Sequence, residues 1–303
     1  NLGLNAKTLS DNNSAASDAD NNKRYAGGAS NITVAQTANL NGTAWGAGSA
    51  LNATTGSLIV GSAGAQMYSN GTLGLTATTG DLALNTAAVS ANNDLNLSAN
   101  AGAIQTTAGT SQGVQSTAGN IALNAATGVS NAGVLDAKAG NVTVRANGTV
   151  SNSGTLHAKG NLDVADRNNA ASNNFSNTGT VLAEGTANIK ASTFSNTSNL
   201  QGSQGTTITA NTLTNSGLLV ASSSSTGAGS ITANTVNNQG TLQSAQNLTV
   251  TANTQFQNSG TVLAQGQQTL NAAAGIQNSG TLQANGNQNL QLGSGTLNNT
   301  SSG

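Results

Sequence analysis

The chain contains no cysteine and no proline, a single histidine, and only 2% aromatic and 6% charged residues. Each shortage removes a class of protein. Without cysteine there is no disulfide framework and no thiolate metal site, although such chains suit both the cytosol and export across membranes in the unfolded state. His157 stands alone, so a multi-histidine metal centre is excluded. Tandem Gly-Gly-x-Gly-x-Asp calcium repeats do not occur either. Eight Lys/Arg set against nine Asp/Glu provide no basic stripe for nucleic-acid phosphates and no cationic cluster for anionic lipid. No apolar run approaches the ~18 residues that span a bilayer. Phosphate-loop, nucleophile-elbow and dinucleotide signatures are missing, and no cofactor is expected. The lack of proline suits a backbone whose N–H groups nearly all donate to a neighbouring strand.

What remains is a repeat. An apolar residue, any residue, Asn, a small residue, then Gly or Ser recurs nine times through the second half. Its apolar members are Val129, Val150, Phe175, Phe194, Leu213, Val236, Phe256, Ile276 and Leu297, spaced by 19 to 25 residues. All three Phe residues fall in this column, which points to one shared buried slot. The accompanying asparagines are Asn131, Asn152, Asn177, Asn196, Asn215, Asn238, Asn258, Asn278 and Asn299. A steady period near 20 means that one unit is copied, each copy beside the last.

Within a unit, three short apolar runs are separated by turn-formers. In residues 236–255, Val236 opens the first run, Leu242 carries the second, and Leu248 with Val250 forms the third at strand period. No window shows helical apolar spacing, and the runs are too short for a meander. The pattern predicts an all-β fold, a right-handed parallel β-helix (solenoid) of about 20–21 residues and three short strands per coil. Roughly 14 such coils at the parallel-strand spacing would make a rod on the order of 65–70 Å long. Stacked Asn side chains would then hydrogen-bond from coil to coil and fix the register. Gly133, Gly154, Gly179, Gly217, Gly240, Gly260 and Gly280 would take the backbone conformation, φ > 0 included, that a corner requires. Ser198 and Ser301 stand in for that glycine twice.

The organisation reads as one continuous solenoid: irregular N-terminal coils and a loop over residues 1–49, degenerate coils over 50–128, and regular repeats over 129–303. Both ends stop in mid-pattern and Asn1-Leu2-Gly3 has no signal-peptide character, so the chain reads as a segment of a longer rod. Charge is lopsided, with no ionisable side chain in the 113 residues from 191 to 303. Two stretches exceed the period, one holding residues 166–172 and one holding residues 222–227; both read as solvated surface loops. Residues 10–24 read as a longer loop or a disordered stretch.

Two site readings can be set beside the scaffold reading. Asp136, Lys138, His157, Lys159, Asp163 and Asp166 form the densest titratable cluster, and alignment of coils would set Asp136 beside His157. Polysaccharide-cleaving β-helices need clustered carboxylates of this kind. The simpler reading is a row of solvated charges. Thr143, Thr209, Thr232 and Thr249 suggest an ice-binding Thr array, interrupted by Asp163 and Lys190. Trp45, Tyr25 and Tyr68 look scattered, as packing residues or loop covers, which leaves no aromatic platform for sugars. No catalytic, cofactor or metal residues are assigned.

The stretches Phe256-Gln257-Asn258-Ser259-Gly260-Thr261-Val262-Leu263-Ala264 and Ile276-Gln277-Asn278-Ser279-Gly280-Thr281-Leu282-Gln283-Ala284 resemble the filamentous haemagglutinin repeat. That repeat builds the shafts of large bacterial exoproteins exported by two-partner secretion, including adhesins and contact-dependent growth inhibition proteins. The resemblance covers 129–303 well and 50–128 loosely. It implies a secreted, non-enzymatic β-helical shaft on the surface of a Gram-negative cell, projecting a functional tip and adhering along its length in a secondary role. It also implies partners: an outer-membrane two-partner secretion transporter, acting through a region outside this segment, and a receptor or glycan on a host or neighbouring cell. A polysaccharide-binding or polysaccharide-cleaving β-helix is the alternative.

Overall fold

The computed structural model describes residues 1–12, 23–61, 65–85, 87–107 and 113–300. Among them are 35 strands and no helix, and every strand pairing is parallel, each strand meeting its counterpart one coil away. The protein is a parallel β-solenoid. It divides into two compact units, Asn1–Lys159 and Gly160–Gly303.

In unit 1 one sheet stacks seven short strands, one per coil: Lys23–Ala26, Ala44–Ala47, Gln66–Ser69, Ala88–Ala91, Val114–Ser116, Val134–Ala137 and Thr155–Ala158. In unit 2 the equivalent sheet has six: Thr180–Ala183, Asn199–Gly202, Leu218–Ser222, Thr241–Ser244, Thr261–Ala264 and Thr281–Ala284. The other two runs of each coil build the second sheet of each unit.

Those two runs are less separate than the sequence pattern suggests. In several coils they fuse into one long strand, as in Ser30–Asn41, Ala187–Asn196, Thr206–Asn215 and Gly229–Asn238. The bend inside such a strand comes from a slip of the pleat. Ala187, Ile189 and Ala191 point inward at strand period; the next inward residues, Phe194 and Asn196, follow after a step of three. Ala191 still pairs with Ala210, and Thr193 with Thr212. The chain therefore changes face without surrendering its ladder, and no turn residue is needed there. Irregular register at the equivalent bends of Gly229–Asn238 and Ser30–Asn41 absorbs a residue of length difference between coils.

Val129, Val150, Phe175, Phe194, Leu213, Val236, Phe256 and Ile276 are all at most 3% exposed. Phe175 and Phe194 stack with ring centroids 5.4 Å apart and planes 15° apart. Leu297 departs from the column: it is 44% exposed, because among the described residues no coil lies beyond it. Asn299 on the same strand is exposed as well.

The motif glycines need a different explanation from the one the sequence suggests. None is among the glycines of positive φ, which are Gly42, Gly113, Gly205, Gly275 and Gly293. The constraint is contact between coils. A Cβ on Gly260 would lie 2.0 Å from the carbonyl oxygen of Gly240, so the backbone of one coil sits directly on the next. Ser198 faces no penalty from backbone conformation, since it is not among the residues of positive φ; Ser301 lies outside the described residues. So do residues 13–22 of the expected N-terminal loop, whereas Leu9–Asn12 and Lys23–Ala26, which border them, are strands rather than loop.

Candidate functional site

The interior asparagines form the most ordered polar feature. In unit 2 each side-chain amide donates to the Oδ1 of the next: Asn177 to Asn196 at 2.8 Å, Asn196 to Asn215 at 2.8 Å, Asn215 to Asn238 at 2.8 Å, Asn238 to Asn258 at 2.7 Å, Asn258 to Asn278 at 2.8 Å and Asn278 to Asn299 at 2.7 Å. In unit 1 Thr106 donates to Asn131 at 2.5 Å, and Asn131 donates to Asn152 at 2.7 Å. The same Nδ2 atoms reach corner carbonyls; Asn238 donates to Gly240 at 3.1 Å and Thr261 at 3.1 Å. Asn177, Asn196, Asn215 and Asn238 are 0% exposed. Each bond is worth about 1 kcal/mol net, but all point the same way along the stack and polarise one another. This array supports structure and presents nothing to a ligand.

The outward faces are where a ligand could be met. In unit 1 the register of the short-strand sheet stacks Tyr25, Gly46, Tyr68, Ser90, Gln115, Asp136 and His157 into one outward column. At one end, His157 Nδ1 and Asp136 Oδ1 are 2.6 Å apart, with side chains 23% and 19% exposed. A carboxylate held against Nδ1 can orient an imidazole as a base. Glycosidic cleavage needs a second carboxyl, and the nearest members of the column are Gln115 and Ser90. Lys138 and Lys159 are exposed on the adjoining corner. Asp163 and Asp166 belong to unit 2.

At the other end the aromatic residues are not scattered. Tyr25 and Tyr68 stack with centroids 6.1 Å apart and planes 15° apart. Trp45 is a core residue, 4% exposed, whose Nε1 finds no partner among the described residues. The clue in the sequence was the placing of Tyr25 and Tyr68 two coil lengths apart with Gly46 midway.

The longer insertion in unit 2 is an ordered turn around one carboxylate. Asp166 is 2% exposed and accepts hydrogen bonds from the Ser172 hydroxyl, from Ala170 N at 2.7 Å and from Asn168 N at 2.9 Å. The Ser172 hydroxyl above all, then the Ala170 amide, holds its carboxyl below the ordinary value of 3.8, against an opposing contribution from burial. Asn169 adopts φ 59°, a left-handed conformation Asn tolerates, and Lys190 Nζ donates to its carbonyl at 3.1 Å and its Oδ1 at 3.3 Å. With its lone pairs already engaged by donors, this carboxylate is a loop organiser. Beside it Asn173, 1% exposed, leaves both amide atoms without partners among the described residues.

The threonines form two columns rather than one. In unit 2 Thr207, Ser230, Thr249 and Thr269 share the first; Thr209, Thr232 and Thr251 share the second. Asp163 pairs with Asn188 in the first and Lys190 with Thr209 in the second, so neither charge interrupts the coils between residues 206 and 269. Thr143 belongs to unit 1. A separate groove of about 340 Å³ in unit 2 runs beside a third row, Asn237, Gln257, Gln277 and Asn298, all neutral amides.

Among the described residues no group of three or more His, Cys, Asp or Glu side chains is placed to hold a metal ion. Comparison of the chain with family models, curated proteins and solved structures finds no match in any of the three.

Proposed function

We propose that this chain is shaft material of the filamentous haemagglutinin type: a secreted β-helical segment at the surface of a Gram-negative bacterium, exported by two-partner secretion. Its role is to hold an adhesive or toxic tip away from the cell, with some adhesion along its own length. The observation that supports this most is the unbroken interior amide chain of unit 2 beneath a stacked apolar column, coil after coil. A shaft requires that every coil recognise only its neighbours, so that length can vary without loss of the architecture. Such a part is modular, and that supplies the test. Removing one whole coil, residues 239–258, from the exported protein should leave secretion, surface display and cooperative unfolding intact and shorten the particle seen by electron microscopy by about 5 Å. A chain that loses display or unfolds on removal of that coil, or one that is compact rather than elongated, would overturn the reading.

A further inference from the structure

The outward column of unit 1 carries a feature that a pure scaffold does not need. Tyr25 and Tyr68 stand on coils separated by the coil of Gly46, so their backbones are two strand spacings, about 9.6 Å, apart. Yet the rings meet. They do so because Gly46 has no side chain: a Cβ there would lie 2.1 Å from Cζ of Tyr68 and 2.5 Å from Cε1 and Cε2. The Tyr68 ring lies across the bare Cα of Gly46 and reaches Tyr25, which remains 53% exposed. Two phenol rings thus make one broad, half-open surface on the outside of the solenoid. The equivalent outward column of unit 2 holds Leu182, Gln201, Val220, Gln243, Leu263 and Gln283, with no aromatic residue, and the three Phe rings are all in the core.

A groove of about 410 Å³ leads away from this surface. Tyr68 and Ser90 form one wall; Asn70, Asn92 and Thr117, on the corner after the strands, form the other. The hydroxyls of Ser90 and Thr117 and the amides of Asn70 and Asn92 point no hydrogen bond at any described residue, so they are available to a ligand. No charged side chain lines the groove. Beyond it the same column continues through Gln115 to the Asp136–His157 pair.

We infer that this face of unit 1 binds a neutral polysaccharide, laid along the stacking axis with one sugar ring on the Tyr25–Tyr68 surface. A pyranose offers an apolar face of C–H bonds and a rim of hydroxyls; the first matches an exposed aromatic plane and the second a row of amides and hydroxyls. Anionic chains are disfavoured because the groove has no cation to neutralise them. The coil spacing of about 4.8 Å is close to the length of one residue in an extended β-linked hexose chain, so successive sugars meet successive coils. The inference does not rest on the shaft reading, since any β-helix carrying this column would serve.

The test uses the full chain and soluble oligosaccharides of stated type: cellohexaose, chitohexaose and xylohexaose as neutral probes, oligogalacturonate as the anionic one, with titration calorimetry as readout. At least one neutral probe should bind. Tyr25→Ala should weaken it about tenfold or more, the cost of removing an aromatic anchor, while Tyr25→Phe should retain most of the affinity because the ring face is kept. Gly46→Val, which displaces the Tyr68 ring, should match Tyr25→Ala. Thermal unfolding of each variant separates loss of binding from loss of fold; Tyr25, being half exposed, is the variant whose fold should be intact. No binding of any neutral probe overturns the inference, as does binding that survives Tyr25→Ala, or binding of oligogalacturonate alone. None of these outcomes bears on the coil-deletion experiment, so the two readings fail separately.

Discussion

In unit 2 the corner position behind the Phe and Ile column is Asn in coil after coil, from Asn177 to Asn278, each amide engaged by the next. In unit 1 the same structural position is Leu40, Val60 and Leu84 in successive coils, then Thr106, Asn131 and Asn152. All six are buried, and the stacking continues through the change. The amide ladder is therefore one of two ways to fill this position, and what stacking requires is like against like. An apolar column buries its atoms against one another; an amide column satisfies each donor with the acceptor one coil on. At the boundary between the two stands Thr106, paired with Leu84 on one side and Asn131 on the other, and its hydroxyl donates to Asn131. Amides also specify register, because an Asn displaced from its partner is buried and unpaired.

The two units differ in charge to the same degree. From residue 191 onward unit 2 has no ionisable side chain. At the opposite corner, unit 1 uses carboxylates as well as amides to cap backbone N–H groups: Asp81 accepts from Ala103 N at 2.8 Å, and Asp94 from Asn120 N at 2.8 Å. Unit 2 does the same job with Asn161 on Thr186 N and Asn247 on Gln267 N, both at 2.8 Å. Neutral and charged caps are geometrically interchangeable here, which is why composition can drift so far between regions without a change of fold.

The largest effect is expected for Phe256→Ala, which empties a slot that is 1% exposed and should cost unit 2 about 3–5 kcal/mol. Denaturant unfolding measures the loss, and a change below about 1 kcal/mol would mean that the slot closes around the smaller side chain. Next come the reciprocal exchanges Val60→Asn and Asn238→Leu. Each places a column member of the wrong kind, and each should destabilise its own unit by about 2 kcal/mol in denaturant titration. Asn238→Asp should be worse than Asn238→Leu at neutral pH, because it buries a charge. If both exchanges are silent, like-with-like stacking is not what holds the corner.

Smaller and more local is the response of the 166–172 turn to acid. Because the Asp166 carboxyl titrates below its ordinary value of 3.8 when folded, its contribution is complete above that value and is lost as pH falls through the lower, folded one. Hydrogen exchange at Asn168 and Ala170 should accelerate only in that acidic window, and Asp166→Asn should abolish the dependence on pH. The smallest effect is expected for Asn173→Leu: removing two buried, unpaired amide atoms should be neutral or add up to about 1 kcal/mol. A loss of more than that would mean that Asn173 has a polar partner in solution.

Much of the fold was legible because a solenoid's contacts join residues one period apart, so that a list of spacings is nearly a list of contacts. Phe175 with Phe194, Leu213 with Val236 and Asn238 with Asn258 all follow from counting. The count fails where the contact is not one coil away or where phase matters. Tyr25 and Tyr68 look scattered in the sequence because the ring reaches past an intervening coil. The threonines look like one column in the sequence because the two outward positions of a strand differ by a single pleat, and only the register separates Thr249 from Thr251.

Periodicity and residue type alone dictated a parallel solenoid, its coil length and its inward columns, because burial in this architecture repeats with the chain. The fused strands with their slipped pleat, the steric reason for the motif glycines, the closure of the Asp166 turn and the paired tyrosines were decided only by the folded molecule. Each depends on how far one backbone stands from the next and how far a side chain can reach across it, and a one-dimensional pattern does not contain those distances.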